Sequence, residues 1–201
     1  MKNLPLIGLG ISTLGSSSQA LDASFPMIAF KDDVESGMDF EKLDALMEQD
    51  VQTLDNLDAL EIDADLKKSM SDLGADKRLV LCRINKNNPI KNLEEAYLKL
   101  HLLSYKYFQP NSLNLENLFN VLINVAWTSQ GPVELLGIEK RILAAKKTDS
   151  HFEIKSIDKF PSLTDYIIPE GVRIADTSRV RLGAYLAEGT TVMHEGFVNF
   201  N

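Results

Sequence analysis

The sequence predicts an α+β domain over residues 1–158, a linker at 159–167, and the first coils of a left-handed parallel β-helix over 168–201. Two observations carry this prediction. Before residue 158, short apolar runs are mixed with stretches of three- and four-residue apolar spacing, the signals of strands and helices in one domain. From Ile168 onward aliphatic residues stand at every sixth position, a period that fits neither a helix nor a half-buried strand.

Residues 25–30 and 78–84 are apolar or β-branched runs bounded by polar positions and read as strands. Cys82 lies in the second and reads as a buried strand residue. Residues 40–47 and 54–70 have helical spacing and abundant acids. The densest negative charge, between Asp50 and Asp65, reads as a solvated helical surface, with a partner-binding face as its functional alternative.

The strongest helix spans 92–108, where Leu93, Ala96, Tyr97, Leu100, Leu103 and Tyr107 share a face and Pro110 supplies the stop. His101 within it reads as structural. A second helix is expected over 112–122, with Ser112 as N-cap and Leu115, Leu118, Phe119 and Leu122 facing inward. Residues 124–131 hold the single tryptophan. Pro132 then opens a helical stretch toward Lys147, at a first helical position where its missing N–H costs nothing. Residues 151–157 alternate as a strand, and His151 at their start receives no role. This part of the sequence shows no metal-ligand cluster, phosphate loop or nucleophile elbow, and Gly8 with Gly10 is too short for a dinucleotide fingerprint.

In the last segment Ile168, Ile174, Val180, Leu186, Val192 and Val198 keep the six-residue interval, and small residues follow four positions after the middle four, at Ser178, Ala184, Thr190 and Gly196. This is the hexapeptide signature of a β-helix. Each prism face takes one hexapeptide and each coil takes three faces, so the aliphatic residue points inward and the small one fits the corner. Stacked repeats need about three units for a self-supporting core, and the last coil exposes an unpaired edge. The expectation is therefore a fragment whose β-helix is completed by residues beyond Asn201.

Composition narrows the function classes. With 44% hydrophobic and 25% charged residues the chain reads as a soluble globular protein. A formal net charge of −8 and scattered basic residues exclude a nucleic-acid surface. One cysteine excludes an internal disulfide framework and fits a reducing compartment. The apolar start at 1–11 is broken by Pro5, Gly8 and Gly10 and lacks a cleavage site, and no apolar window is long enough to span a membrane. The expected location is cytoplasmic.

The residues between the repeat positions carry a resemblance. DKFPSLTDY at 158–166, GVRIADTSRVRLG at 171–183 and EGTTVMHEGFVNFN at 188–201 form one long match to the longer, pseudomonad- and actinobacterial-like form of tetrahydrodipicolinate N-succinyltransferase. EAYLKLHLLS at 95–104 and NVAWT at 124–128 resemble the N-terminal domain of that form. The resemblance is specific from Asp158 onward and patchy over 94–147.

It implies an acyltransferase of the diaminopimelate–lysine pathway, passing a succinyl group from succinyl-CoA to the amino group of ring-opened tetrahydrodipicolinate. In chemical terms a neutral amine attacks a thioester while a base takes its proton and a positioned donor steadies the oxyanion. It also implies a homotrimer with sites between adjacent β-helices, and a catalytic acid in a Met-x-Glu-Gly-Arg stretch past Asn201. No catalytic residue is then expected within these 201 residues, and the chain alone is expected to be inactive.

The resemblance places Glu195 as a magnesium ligand on the trimer axis, where three like carboxylates need a cation between them. A second, aspartate ligand of some relatives falls here at Ser178, which leaves fewer anionic oxygens for the metal. Arg179, Arg181 and Asn199 are candidates for the dicarboxylate substrate, since arginine grips carboxylates bidentately; a structural ion pair is the other reading for each arginine. Two further classes stand beside this one. A β-helical carbonic anhydrase needs several histidines on the prism, and only His194 lies in the repeat. A non-enzymatic trimerisation fragment needs no chemistry at all.

Overall fold

The structure, a computed structural model, describes residues 2–33, 38–58 and 60–201. Met1 of the apolar start and position 59 of the 54–70 stretch lie outside the described residues.

The chain opens with a hairpin of β1 (Leu6–Leu14) and β2 (Ala20–Phe30), passes through α1 (Phe40–Ala45), β3 (Val51–Leu54) and α2 (Ala64–Ser69), and returns in β4 (Lys77–Ile84). The four strands form an antiparallel sheet in the order β2-β1-β4-β3. β1 is an inner strand with both faces covered, which accounts for the apolar start: Leu6, Ile7 and Leu9 have no exposure. Gly10 faces a bulge formed by Phe25 and Pro26, and a Cβ there would stand 2.1 Å from the Ser24 carbonyl oxygen.

One face of the sheet buries Ile7, Leu9, Leu79 and Leu81 against Phe40, Leu43, Leu57, Leu60 and Met70. Leu57 and Leu60 belong to the connection before α2, so the apolar spacing over 54–70 reflects a loop anchored under the sheet rather than one long helix. Asp63 caps the short α2 by accepting from the backbone N–H groups of Asp65 and Leu66.

The other face carries α3 (Leu93–Ser104), and all twelve of its residues are buried. Asn92 caps it, accepting from Glu95 N at 2.9 Å. The helix ends earlier than Pro110. Lys106 takes a positive φ of 63°, its N–H donates to Leu103 O, and Tyr107 N donates to Leu102 O. These two bonds form a Schellman close that needs no glycine here. The charged residues of the helix have partners. Arg78 Nη2 lies 2.7 Å from Glu94 Oε1 and Lys99 Nζ lies 3.2 Å from Glu95 Oε1. Lys99 also donates to the carbonyls of Asn88 and Asn114 at 2.6 and 2.8 Å.

The second expected helix shrinks to α4 (Leu118–Val121). Ser112 does not cap it. Its hydroxyl donates to Gln109 O, and Asn117, at φ 72°, directly precedes the helix. Bonds across loops hold the intervening residues instead, with Asn114 N donating to Asn87 Oδ1 and Asn117 Nδ2 donating to Ile90 O. Next come β5 (Val125–Thr128), β6 (Gly131–Val133), α5 (Ile138–Lys147) and β7 (Ile154–Asp158), with the strands in an antiparallel sheet ordered β6-β5-β7. Pro132 pairs opposite Trp127 in the edge strand β6, where a missing N–H is tolerated, and α5 begins only after Gly137.

The final segment contains β8 (Arg173–Ile174) and β9 (Thr191–Val192) with 3-10 turns at Leu163–Asp165 and Thr177–Arg179. Mixed helix and sheet is thus the observed class. One cluster of buried side chains runs from the sheet through α3 to Phe160, Val180, Leu182, Ala184, Leu186 and Val192.

Candidate functional site

The residues singled out in the sequence sit where the chain begins to stack on itself. Arg173 pairs with Thr191 and Ile174 with Val192 in parallel, and Val180 bridges Val198 in parallel, each pair 18 positions apart. Val180, Leu186 and Val192 are buried, while Ile174 and Val198 are half-buried. Ile168 departs from the pattern, being 78% exposed beside a buried Ile167. The 3-10 turn before it draws Leu163 and Ile167 into the core, with Ile167 N donating to Leu163 O, so the inward phase starts one hexapeptide later. Of the small residues, Ala184 is buried and Gly196 is tight, since a Cβ there would meet Met193 O and Val192 Cγ1 at 3.2 Å, whereas Ser178 is exposed.

Arg181 is heavily engaged. Its Nη2 lies 2.7 Å from Asp158 Oδ2, its Nη1 donates to Asn199 Oδ1 at 3.1 Å, and its guanidinium lies 5.1 and 5.5 Å from the ring centroids of Phe160 and Phe197. Phe160 stacks in turn on Phe200 at 4.6 Å. This arrangement joins the end of β7 to two segments that stack 18 residues apart. Arg179 stands apart from it, with Nε 3.5 Å from Asp176 Oδ2 on the surface. The Ser178 hydroxyl and amide, both donating to Asp176, hold that carboxyl below the usual range.

Glu195 lies exposed in the turn after β9, and among the described residues no cation comes within 4 Å of it. Arg181 and Asn199 are therefore brought together, while Glu195 and Arg179 are not joined to them by any bond. No group of three or more His, Cys, Asp or Glu able to hold a metal occurs among the described residues. A single chain thus offers one carboxylate at this turn.

Elsewhere His101 and Cys82 are buried as read. His101 Nδ1 contacts Tyr97 O at 2.7 Å and its Nε2 accepts from Phe25 N; burial lowers its pKa to about 4 against the upward pull of the Tyr97 contact. Burial pushes the Cys82 thiol up, against reactivity. One group escaped the sequence reading. Asp22 sits on β2 with 6% exposure and accepts from Thr13 N at 3.1 Å and from the Tyr166 hydroxyl at 2.5 Å. Its signal was present, an acid between Leu21 and Ala23 in an apolar run. Among the described residues no helix is long and apolar enough to cross a membrane.

A family profile described as "Tetrahydrodipicolinate N-succinyltransferase middle" matches residues 122–162. A 2,3,4,5-tetrahydropyridine-2,6-dicarboxylate N-succinyltransferase of Pseudomonas aeruginosa is 51% identical over 146 residues, covering 72% of this chain and 42% of that protein. One from Salinispora tropica is 54% identical over 114 residues, covering 57% of this chain and 36% of that protein. The chain is related to these N-succinyltransferases. A solved structure from Campylobacter jejuni, assigned as a 2,3,4,5-tetrahydropyridine-2-carboxylate N-succinyltransferase, superposes with a TM-score of 0.79 at 28% identity, covering all of this chain and 64% of that one. The chain spans about two fifths of the length of the curated relatives it matches. The match extends well ahead of Asp158, where the resemblance in the sequence was only patchy.

Proposed function

We propose that this chain is the N-terminal portion of a tetrahydrodipicolinate N-succinyltransferase, an acyltransferase moving succinyl from succinyl-CoA to the amine of ring-opened tetrahydrodipicolinate in the diaminopimelate–lysine pathway. The observation that carries the reading is the parallel stacking at 18 residues, three hexapeptides per coil, in a chain 51% identical over 146 residues to an enzyme of that name. The same stacking supports a left-handed β-helix beginning in residues 168–201 on an α+β domain of residues 1–158.

In this reading residues 1–201 supply scaffold rather than chemistry. Arg181 directs Nη2 to Asp158 and Nη1 to Asn199 and serves as the clamp between domain and coil, leaving Arg179, on the surface, as the freer candidate for a substrate carboxylate. Glu195 fits a magnesium site only in a threefold assembly, where three exposed carboxylates meet and a divalent cation relieves their repulsion. A cytoplasmic homotrimer follows from the same reading.

The test is a thiol-release assay on the product of the complete gene. CoA release requiring both succinyl-CoA and tetrahydrodipicolinate is expected, and its absence in a folded, trimeric protein would sink the assignment. Residues 1–201 alone should release no CoA above background. In light scattering, magnesium should favour the trimer, and Glu195→Gln should remove that dependence.

A further inference from the structure

We propose that the cleft between the two antiparallel sheets binds a free α-amino acid, with its ammonium on Asp22 and its carboxylate on Lys77 and Lys155. The cleft measures about 400 Å³ and is lined by these three residues together with Trp127, Asp165 and Tyr166. The proposal does not rest on the succinyltransferase reading.

Asp22 is the starting observation. A carboxylate removed from water is costly unless a cation or several strong donors compensate it. Two other buried carboxylates, Glu94 and Glu95, each meet a cation, Arg78 or Lys99. Asp22 is held by Thr13 and the Tyr166 hydroxyl, with Lys77 acting on it at longer range, and among the described residues no cation lies within 4 Å of it. Burial pushes its pKa up against the pull of the Tyr166 and Thr13 hydrogen bonds and of the Lys77 charge. A buried carboxylate without a direct ion pair, on the wall of an accessible cleft, is a receptor for a positive group. An ammonium suits it better than a divalent metal ion, which prefers several anionic oxygens, and no cluster of metal-binding side chains occurs among the described residues.

The rest of the ligand follows from the lysines. Lys77 comes from β4 in the first sheet, with Nζ 3.4 Å from Thr13 Oγ1, and Lys155 from β7 in the second, with Nζ 3.3 Å from Asp165 Oδ1. Each ammonium carries three donors and these contacts use one, so both retain N–H groups for a carboxylate. Two lysines and two aspartates give the cleft no net charge. A dianion would be opposed by Asp22 and Asp165 and a polyamine by the lysines, whereas a zwitterion meets both signs.

Trp127 is the sole tryptophan and lines the cleft, so its emission reports occupancy directly. Titration of the protein with glycine, L-alanine and L-leucine should give a saturable change, with none from succinate or propylamine at the same concentrations. Asp22→Asn and Lys155→Met should each weaken the response at least tenfold with circular dichroism unchanged. Should Asp22→Asn fail to fold, the half-exposed Lys155 carries the test, since its replacement disturbs no core. The proposal is overturned if no amino acid saturates the signal, if succinate or propylamine binds as well, or if folded Lys155→Met responds as the parent does.

Discussion

The sheet-and-helix region and the coil segment both bury aliphatic side chains, but they leave different traces in the sequence. In the first, β1 is covered on both faces and α3 on all sides, so the period of each element is blurred and polar residues such as Lys99 and His101 are drawn inside with matched partners. In the second, each coil has one interior and one exterior, and the six-residue period survives in Val180, Leu186 and Val192. Burial on every side erases periodicity, whereas one-sided burial preserves it.

The comparison can be pressed hardest at the helix. Leu100 is fully buried, beside Gly183 of the coil segment. Leu100→Ala should cost about 4 kcal/mol, read as a lowered urea midpoint with unchanged slope.

Acid comes next. His101 has a folded pKa of about 4 against 6.5 for the free side chain, so between those values the unfolded chain binds more protons. Stability should fall as pH drops from about 6.5 toward 4, by at most about 3 kcal/mol from this group, and then level off. Asp22, whose pKa is raised, works in the opposite sense near its own titration and trims the loss. Urea melts at pH 7 and pH 5 should show this slope, and His101→Asn should flatten it.

At the junction of the two regions, Arg181→Met keeps length but forfeits Asp158, Asn199 and the ring contacts. A loss of about 1 kcal/mol in thermal melts is expected for so partly exposed a network. An unchanged melting temperature would show that the clamp holds nothing.

The smallest effect separates two members of the same repeat. Ile168→Ala, at an exposed position, should change stability by less than about 0.5 kcal/mol, while Leu186→Ala, with 4% exposure, should cost about 2 kcal/mol. Equal effects would mean that Ile168 does serve the coil core.

Much of the candidate site was legible because it rests on the repeat. The positions of Arg181 and Asn199, 18 apart, follow from three hexapeptides per coil, and their hydrogen bond realises that arithmetic. Glu195 was named as a metal ligand by resemblance alone, and one chain, which shows one carboxylate at that turn, does not test it. The helix expected over 112–122 failed for a different reason. Its apolar spacing is real, yet Asn87, Lys99 and Asn117 tie the loops together with hydrogen bonds that a helix would have consumed internally.

The sequence by itself determined the six-residue spacing of aliphatic residues near its end, the burial of His101 and Cys82, and which relatives the chain resembles. Those properties follow from spacing and residue type along the chain. Only the tertiary structure decided that the apolar start is an inner strand, that Ile167 rather than Ile168 enters the core, that Arg181 is a clamp, and that Asp22 is buried without a direct ion pair. Each of these depends on what lies across from a residue in space, which neighbours in sequence do not specify.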